Sequence, residues 1–329
     1  MLAERCQEDL LITTLSIRVD VGEMSAAAEK DDKIKVVQRC ASCGIAGGDD
    51  IKLKDCSACH LVRYCSVKCQ RDHRPKHKRE CKKRAAELKD ELLFKQPESS
   101  HFGDCPICFL PLPIDESESV LMSCCGKRIC KGCHYANQIR EYEGRLQHKC
   151  AFCRKAVPKT IEEADEQTMK RVEVNDPSAM SQMGISRYNE GDYSAALDYL
   201  TKAAELGDAL AHYQLSIMYL SGKGVEKDEK RALHHTEQAA IGGQPNARHN
   251  LGCMEKANGR MDRAGKHWII AAKLGYDDSL GNVKVLYQAG YVSKEDFAAA
   301  LRGHHDAIEA TKSPQREEAA EYDRLLADH

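Results

Sequence analysis

Apolar residues follow two regimes along this chain, and the change between them sits near Pro177. From there to about residue 310, leucine, alanine, methionine and valine recur at the three-to-four-residue spacing that lines one face of a helix. Upstream no such period persists, and short apolar stretches are broken up by cysteine pairs. The pattern predicts an irregular N-terminal half joined to an all-helical C-terminal half.

The helical half repeats itself. Ala203-Ala204-Glu205-Leu206-Gly207, Ala239-Ala240-Ile241-Gly242-Gly243 and Ala271-Ala272-Lys273-Leu274-Gly275 recur at intervals of 36 and 32 residues. The helices before them align at Ala179, Ala211, Ala247 and Ser279. A helix-turn-helix unit of this length cannot bury its apolar face alone, so neighbouring units stack into a solenoid. Small residues suit close helix crossings, and the terminal glycines accept left-handed angles at little cost. The stretch Tyr219-Leu220-Ser221-Gly222-Lys223-Gly224-Val225-Glu226-Lys227-Asp228, followed by Lys230-Arg231-Ala232, resembles a Sel-one-like repeat, a relative of the tetratricopeptide repeat. The resemblance implies a helical-repeat domain over residues 177–310 whose groove receives partner proteins or peptides. Gly222-Lys223-Gly224 lacks the spacing of a phosphate loop and reads as an inter-helix turn. Residues 311–329 read as a polar C-terminal helix or tail, and residues 158–176 as a linker.

Fifteen of the seventeen cysteines lie between Cys40 and Cys153, nearly all in close pairs. A Cys-x2-Cys knuckle points two thiolates at one ion from a tight turn, and two pairs complete the tetrahedral shell of structural zinc. Two blocks of eight ligands therefore predict four Zn2+ ions. All positions are filled by protein, which leaves none for a catalytic water. A disulfide framework would call for a secretory signal, and residues 1 to 24 show no apolar core of that kind. Residues 1–36 read as a disordered N-terminal segment.

The first block comprises Cys40-x2-Cys43, Cys56-x2-Cys59, Cys65-x3-Cys69 and His77-x3-Cys81. With Tyr64-Cys65-Ser66-Val67-Lys68-Cys69-Gln70 and the closing His77-Lys78-Arg79-Glu80-Cys81, it resembles a MYND zinc finger over residues 37–84. By that resemblance the sites interleave, one ion held by Cys40, Cys43, Cys65 and Cys69, the other by Cys56, Cys59, His77 and Cys81. His60 and His73 would break this spacing as ligands. The resemblance also implies docking of short proline-containing peptides, although His73-Arg74-Pro75 stands where the family commonly has a nearby tryptophan. Residues 85–103 read as a helix and linker.

The second block contains Cys105-Pro106-Ile107-Cys108, Cys124-Cys125, Cys130-x2-Cys133 and Cys150-Ala151-Phe152-Cys153-Arg154. It resembles an all-cysteine RING finger over residues 104–157. The cross-braced arrangement of that family gives one ion to Cys105, Cys108, Cys130 and Cys133 and the other to Cys124, Cys125, Cys150 and Cys153. The adjacent Cys124-Cys125 pair departs from family spacing, and His134 is the competing ligand. The resemblance implies docking of a ubiquitin-conjugating enzyme through Phe109 and Ile139, with Arg154 as the arginine that bridges enzyme and ubiquitin; its five-donor fork suits that task. Such catalysis works by positioning and needs no nucleophile. Ala151, where active members usually have proline, favours a fold kept for binding alone.

Composition narrows the partners. The formal charge is −2, with 30% charged residues, and no apolar run approaches the roughly 18 to 20 residues of a membrane span. Together with reduced thiols this predicts a protein of the cytoplasm or nucleus. Arg71, Arg74, Lys76, Lys78, Arg79, Lys82, Lys83 and Arg84 form a basic stretch. It reads first as counter-charge to zinc-bound thiolates. Nucleic acid is the weaker reading, because no aromatic side chains interleave to stack bases. The function expected is zinc binding and protein–protein interaction, with ligase recruitment as the sharper form. The alternative is a non-catalytic scaffold or transcriptional regulator acting through the first finger and its basic tail.

Overall fold

The computed structural model describes residues 38–327. Segment 1–36, read above as disordered, lies outside the described residues. The chain divides into two compact units that meet between Phe94 and Lys95.

The first unit pairs two minimal antiparallel strands, β1 (Lys54–Asp55) and β2 (Arg63–Tyr64), and continues into the long helix α1 (Val67–Leu93). Ser66 caps α1, its hydroxyl accepting from the Cys69 amide at 3.2 Å. The buried cluster is Cys40, Cys56, Cys59, Tyr64 and Cys81. Four of those five side chains are zinc-ligand candidates, so little else holds the unit together.

The second unit begins with another cysteine-rich module. Strands β3 (Ser119–Leu121) and β4 (Arg128–Cys130) form a hairpin, and α2 (Lys131–Glu143) follows directly. The stretch 158–176, read above as linker, contains helix α3 (Ile161–Val172). Thr160 caps the helix by accepting from the Glu163 amide, and the Glu163 carboxylate reaches back to accept from the Lys159 amide just before the cap, which explains why the helix starts there. Arg171 then donates two bonds to Asp176 and a third to the Ser123 carbonyl, while Ser123 donates to Gln167. These contacts fasten α3 to the zinc module.

The solenoid is built from α4 (Pro177–Glu190), α5 (Tyr193–Glu205), α6 (Ala209–Ser221), α7 (Glu229–Ile241), α8 (Pro245–Ala257), α9 (Met261–Ala272), α10 (Asp277–Gln288) and α11 (Lys294–Ala310). The repeat is visible in its caps. Asp176, Asp208 and Gln244 each accept from amides at the start of α4, α6 and α8. Ala196, Leu200 and Ala203 of α5 pack with Ala211, Leu215 and Met218 of α6, and Ala264 and Trp268 of α9 pack with Val283 and Leu286 of α10. The final helix α12 (Pro314–Ala327) returns to pack on α2 of the zinc module, with Ala319 buried and the rings of Tyr322 and Tyr135 5.0 Å apart.

Two helical glycines test this packing. A Cβ on Gly252 would collide with the buried indole of Trp268, whereas one on Gly281 would meet nothing within 4 Å. Gly252→Ala is expected to destabilise the solenoid by about 1–3 kcal/mol through overpacking. Gly281→Ala is expected to stabilise it by about 0.5–1 kcal/mol through lower backbone entropy in the unfolded chain. Denaturant titration of the zinc-loaded protein distinguishes the two, and equal effects would contradict the packing.

Two histidines of the solenoid face each other across α6 and α7. His212 and His235 share an Nδ1–Nδ1 hydrogen bond of 2.9 Å, which requires one ring to accept, and Tyr219 stacks on His235. Burial, then the charges of His212, His234 and Arg231, lowers the His235 pKa from 6.5 to about 4. A histidine with a lowered folded pKa stabilises the fold above the unfolded value and loses that contribution as pH falls from 6.5 toward 4. The slope of melting temperature against pH below 6.5 is expected to be shallower in His235→Gln than in the unmutated protein, and identical slopes would contradict it.

Candidate metal centres

Knuckle geometry recurs throughout the cysteine-rich regions. The residue after the second cysteine takes a left-handed conformation at Gly44, His60, Phe109, Gly126 and Arg154, with φ of 77°, 55°, 58°, 67° and 62°. In four of them its amide donates to the carbonyl of the first cysteine: Gly44 to Cys40, His60 to Cys56, Phe109 to Cys105 and Arg154 to Cys150, at 2.8–3.0 Å. The returning strand closes the turn, as in the 2.9 Å bond from the Cys105 amide to the Leu110 carbonyl. A backbone folded this tightly holds both thiols on one side.

Four groups of side chains converge as a result: Cys40, Cys43, Cys65 and Cys69; Cys56, Cys59, His77 and Cys81; Cys105, Cys108, Cys130 and Cys133; Cys124, Cys125, Cys150 and Cys153. Within each, all ligand atoms lie within 4.8 Å of one another. Zn–S bonds of about 2.3 Å at tetrahedral angles imply sulfur–sulfur edges of about 3.8 Å. Observed edges are 3.6 Å for Cys43–Cys65, 3.8 Å for Cys56–Cys81, 3.8 Å for Cys108–Cys130 and 3.3 Å for Cys124–Cys153, and His77 Nε2 lies 3.2 Å from the Cys59 sulfur. The donor set and its dimensions fit zinc. In both modules the first and third pairs of the sequence share one centre and the second and fourth pairs the other.

Thiols this close ionise unequally. Hydrogen bonding from Cys130 holds the Cys105 thiol down to about 4, while its neighbours Cys69 and Cys43 push Cys65 up to about 12. Metal binding must therefore release protons from the remaining thiols.

Adjacent Cys124 and Cys125 both enter the fourth group, and His134 stands outside it with a buried Nδ1 that has no hydrogen-bond partner among the described residues. His60 is in a left-handed turn. His73 accepts from or donates to Tyr64 at 3.0 Å and stacks on His77, which orients that ring. Phe109 is 77% exposed and Ile139 37% exposed. Arg154 donates to Asn137 Oδ1 on α2 at 2.9 Å, and Asn137 donates to the Lys149 carbonyl beside the last knuckle. Sequence reasoning missed the anchoring role of Glu141. Its buried carboxylate meets His148 Nδ1 at 2.8 Å and accepts from the Lys149 amide, and these bonds outweigh burial to lower its pKa. An acidic residue inside a short amphipathic helix carries no signal that could have found it.

Between the zinc module and the solenoid, within the second unit, lies a groove of about 1210 Å³ whose wall includes Asp104, Asp115, Glu116, Asp277, Asp278 and Asp306.

Residues 40–81 match the family model of the MYND finger, and residues 177–208 and 209–244 match that of the Sel1 repeat. The chain is similar to DAP3-binding cell death enhancer 1 of Mus musculus, with 23% identity over 203 residues covering 50% of this chain and 39% of that protein. It is also similar to chitin synthase regulatory factor 4 of Schizosaccharomyces pombe, with 29% identity over 116 residues covering 33% of this chain and 18% of that protein. The chain thus spans well under half the length of these curated relatives. Among solved structures, a Sel1 repeat protein from Oxalobacter formigenes is 27% identical with a TM-score of 0.40, covering 54% of this chain and 72% of that one. The protective antigen c5321 of uropathogenic Escherichia coli, which displays an SLR fold, is 22% identical with a TM-score of 0.37, covering 59% of this chain and 40% of that one.

Native mass spectrometry is expected to find four zinc ions per chain. Cys124→Ser and Cys125→Ser are each expected to weaken one ion, while His134→Ala leaves all four in place. Loss of zinc on substituting His134 would contradict the ligand set.

Proposed function

We propose that the chain is a zinc-stabilised adaptor that holds partner proteins on its two zinc modules and its solenoid. Four closed centres leave no coordination position for a substrate, so zinc here serves to shape surfaces. The MYND finger and Sel1 repeats are protein-interaction modules, and the two curated relatives are named for binding and for regulation. Among the described residues no helix is long and apolar enough to cross a membrane. The acidic groove beside the solenoid suits a positively charged partner segment.

Strain at the second module carries the reading further. Phe109 and Arg154 occupy left-handed positions that Gly44 and Gly126 fill in other knuckles. A non-glycine residue there costs about 1–2 kcal/mol. Phe109 moreover leaves its ring in water. Kept at such a cost with its ring in water, Phe109 is best accounted for by a partner, whereas Arg154 already donates to Asn137 Oδ1. Ile107, Phe109, Ile139 and Phe152 supply exposed apolar groups on the module, and Arg154 supplies a planar donor. This is the chemistry that a RING finger offers a ubiquitin-conjugating enzyme, and the cross-braced centres agree with that resemblance.

At Phe109 glycine substitution separates surface from fold, because it removes the side chain and suits the backbone; at Arg154 it also removes the hydrogen bond to Asn137, so melting temperature is read alongside. In discharge assays with a panel of ubiquitin-charged conjugating enzymes, the zinc-loaded protein is expected to stimulate transfer to lysine. Phe109→Gly and Arg154→Gly are expected to abolish that stimulation with zinc content unchanged. No stimulation with any enzyme, or stimulation that survives both variants, would leave the module a non-catalytic scaffold.

A further inference from the structure

The C-terminal helix reaches a zinc centre that lies far away in sequence. Arg316, in the first turn of α12, is 8% exposed. Its Nη2 donates to the Cys108 sulfur at 3.5 Å, across 208 positions of sequence, and to the Leu110 carbonyl at 3.3 Å. Nη1 donates to the Pro111 carbonyl at 2.7 Å and to the Thr311 carbonyl at 2.6 Å. Leu110 and Pro111 form the returning arm of the Cys105–Cys108 knuckle, so one guanidinium grips both a ligand sulfur and the turn that presents it.

The approach is built into the backbone. Gly132 lies inside α2, where glycine weakens a helix. A Cβ at that position would come within 2.7 Å of the Arg316 nitrogen and 2.8 Å of the Gln315 carbonyl carbon. Only glycine lets the first turn of α12 lie this close to the Cys130–Cys133 pair. Farther along, Lys131 pairs with Asp323, and Tyr135 meets Tyr322.

We infer that Arg316 is a positioning residue of the Cys105, Cys108, Cys130 and Cys133 centre, and that α12 is thereby part of a zinc site whose ligands all lie about 200 residues earlier in the chain. Zinc with four thiolates carries a net charge of about −2. A fixed, buried guanidinium against one thiolate offsets part of that charge and restrains the knuckle, as hydrogen-bond partners of metal ligands generally do. The inference rests on zinc occupying that centre, which metal analysis of the unmutated protein tests separately.

The test uses the full-length zinc-loaded protein challenged with a chromogenic chelator and a thiol-alkylating reagent, with modification read cysteine by cysteine by mass spectrometry. Arg316→Ala is expected to speed modification of Cys105, Cys108, Cys130 and Cys133 by about 10–100-fold, in step with the loss of metal affinity that removing such a partner brings. Cys124, Cys125, Cys150 and Cys153 keep their original rates. Arg316→Lys, which retains charge but not the planar fork, falls between the two. A double variant, Tyr322→Ala with Asp323→Ala, loosens α12 at its far end while leaving Arg316 in place, and is expected to have a smaller effect than Arg316→Ala. The inference is overturned if Arg316→Ala leaves all rates unchanged, if it accelerates both centres equally, or if the double variant matches it.

Discussion

Closure of four thiolate-rich tetrads is the constraint on which the cysteine-rich half depends. In the first unit four of the five buried cluster residues are candidate ligands, and in the second module the buried cluster consists of Cys105, Cys124, Cys130, Cys133 and Cys150 with Leu112, Met122 and Ile129. Segments of this size bury too little apolar surface to fold alone. Structural zinc supplies on the order of 10 kcal/mol per site, which is comparable to the whole stability of a small domain. Coordination therefore replaces a hydrophobic core, and the hairpins β1–β2 and β3–β4 can be as short as two or three residues because the metal fixes their ends.

That constraint propagates outward. The turns that end at Cys43, Cys59, Cys108, Cys125 and Cys153 set their following residue in left-handed space, which decides where Phe109 and Arg154 stand. Two buried arginines then tie the second module to the helices that come after it. Arg171 joins the Ser123 carbonyl to Asp176, which itself caps α4, and Arg316 joins the first knuckle to α12. A third strap is the 96–102 segment, where the His101 amide donates to the Gly243 carbonyl and Gln96 donates to the Ile270 carbonyl. Zinc module and solenoid form one compact unit through these contacts.

Cysteine spacing and the alanine-glycine repeat were legible in the sequence because each expresses a local rule, a turn that aims two thiols or a face that recurs each helix pair. Long-range fastening was not legible. Arg171 and Arg316 look like ordinary surface charges of polar helices, and only the fold reveals that each lands on the zinc module. Residues 158–176 read as a linker because α3 is short and strongly charged, yet its cap and its buried Arg171 make it a strut. Gly132 carried a weak signal, since a glycine early in a helix implies a close neighbour without naming it.

Hydrogen exchange of the full-length protein, before and after complete zinc chelation, tests most directly whether coordination stands in for a core. Amide protection is expected to collapse across residues 40–81 and 105–153 while α4–α10 keep theirs. Protection that persists in the cysteine-rich regions without metal would contradict it.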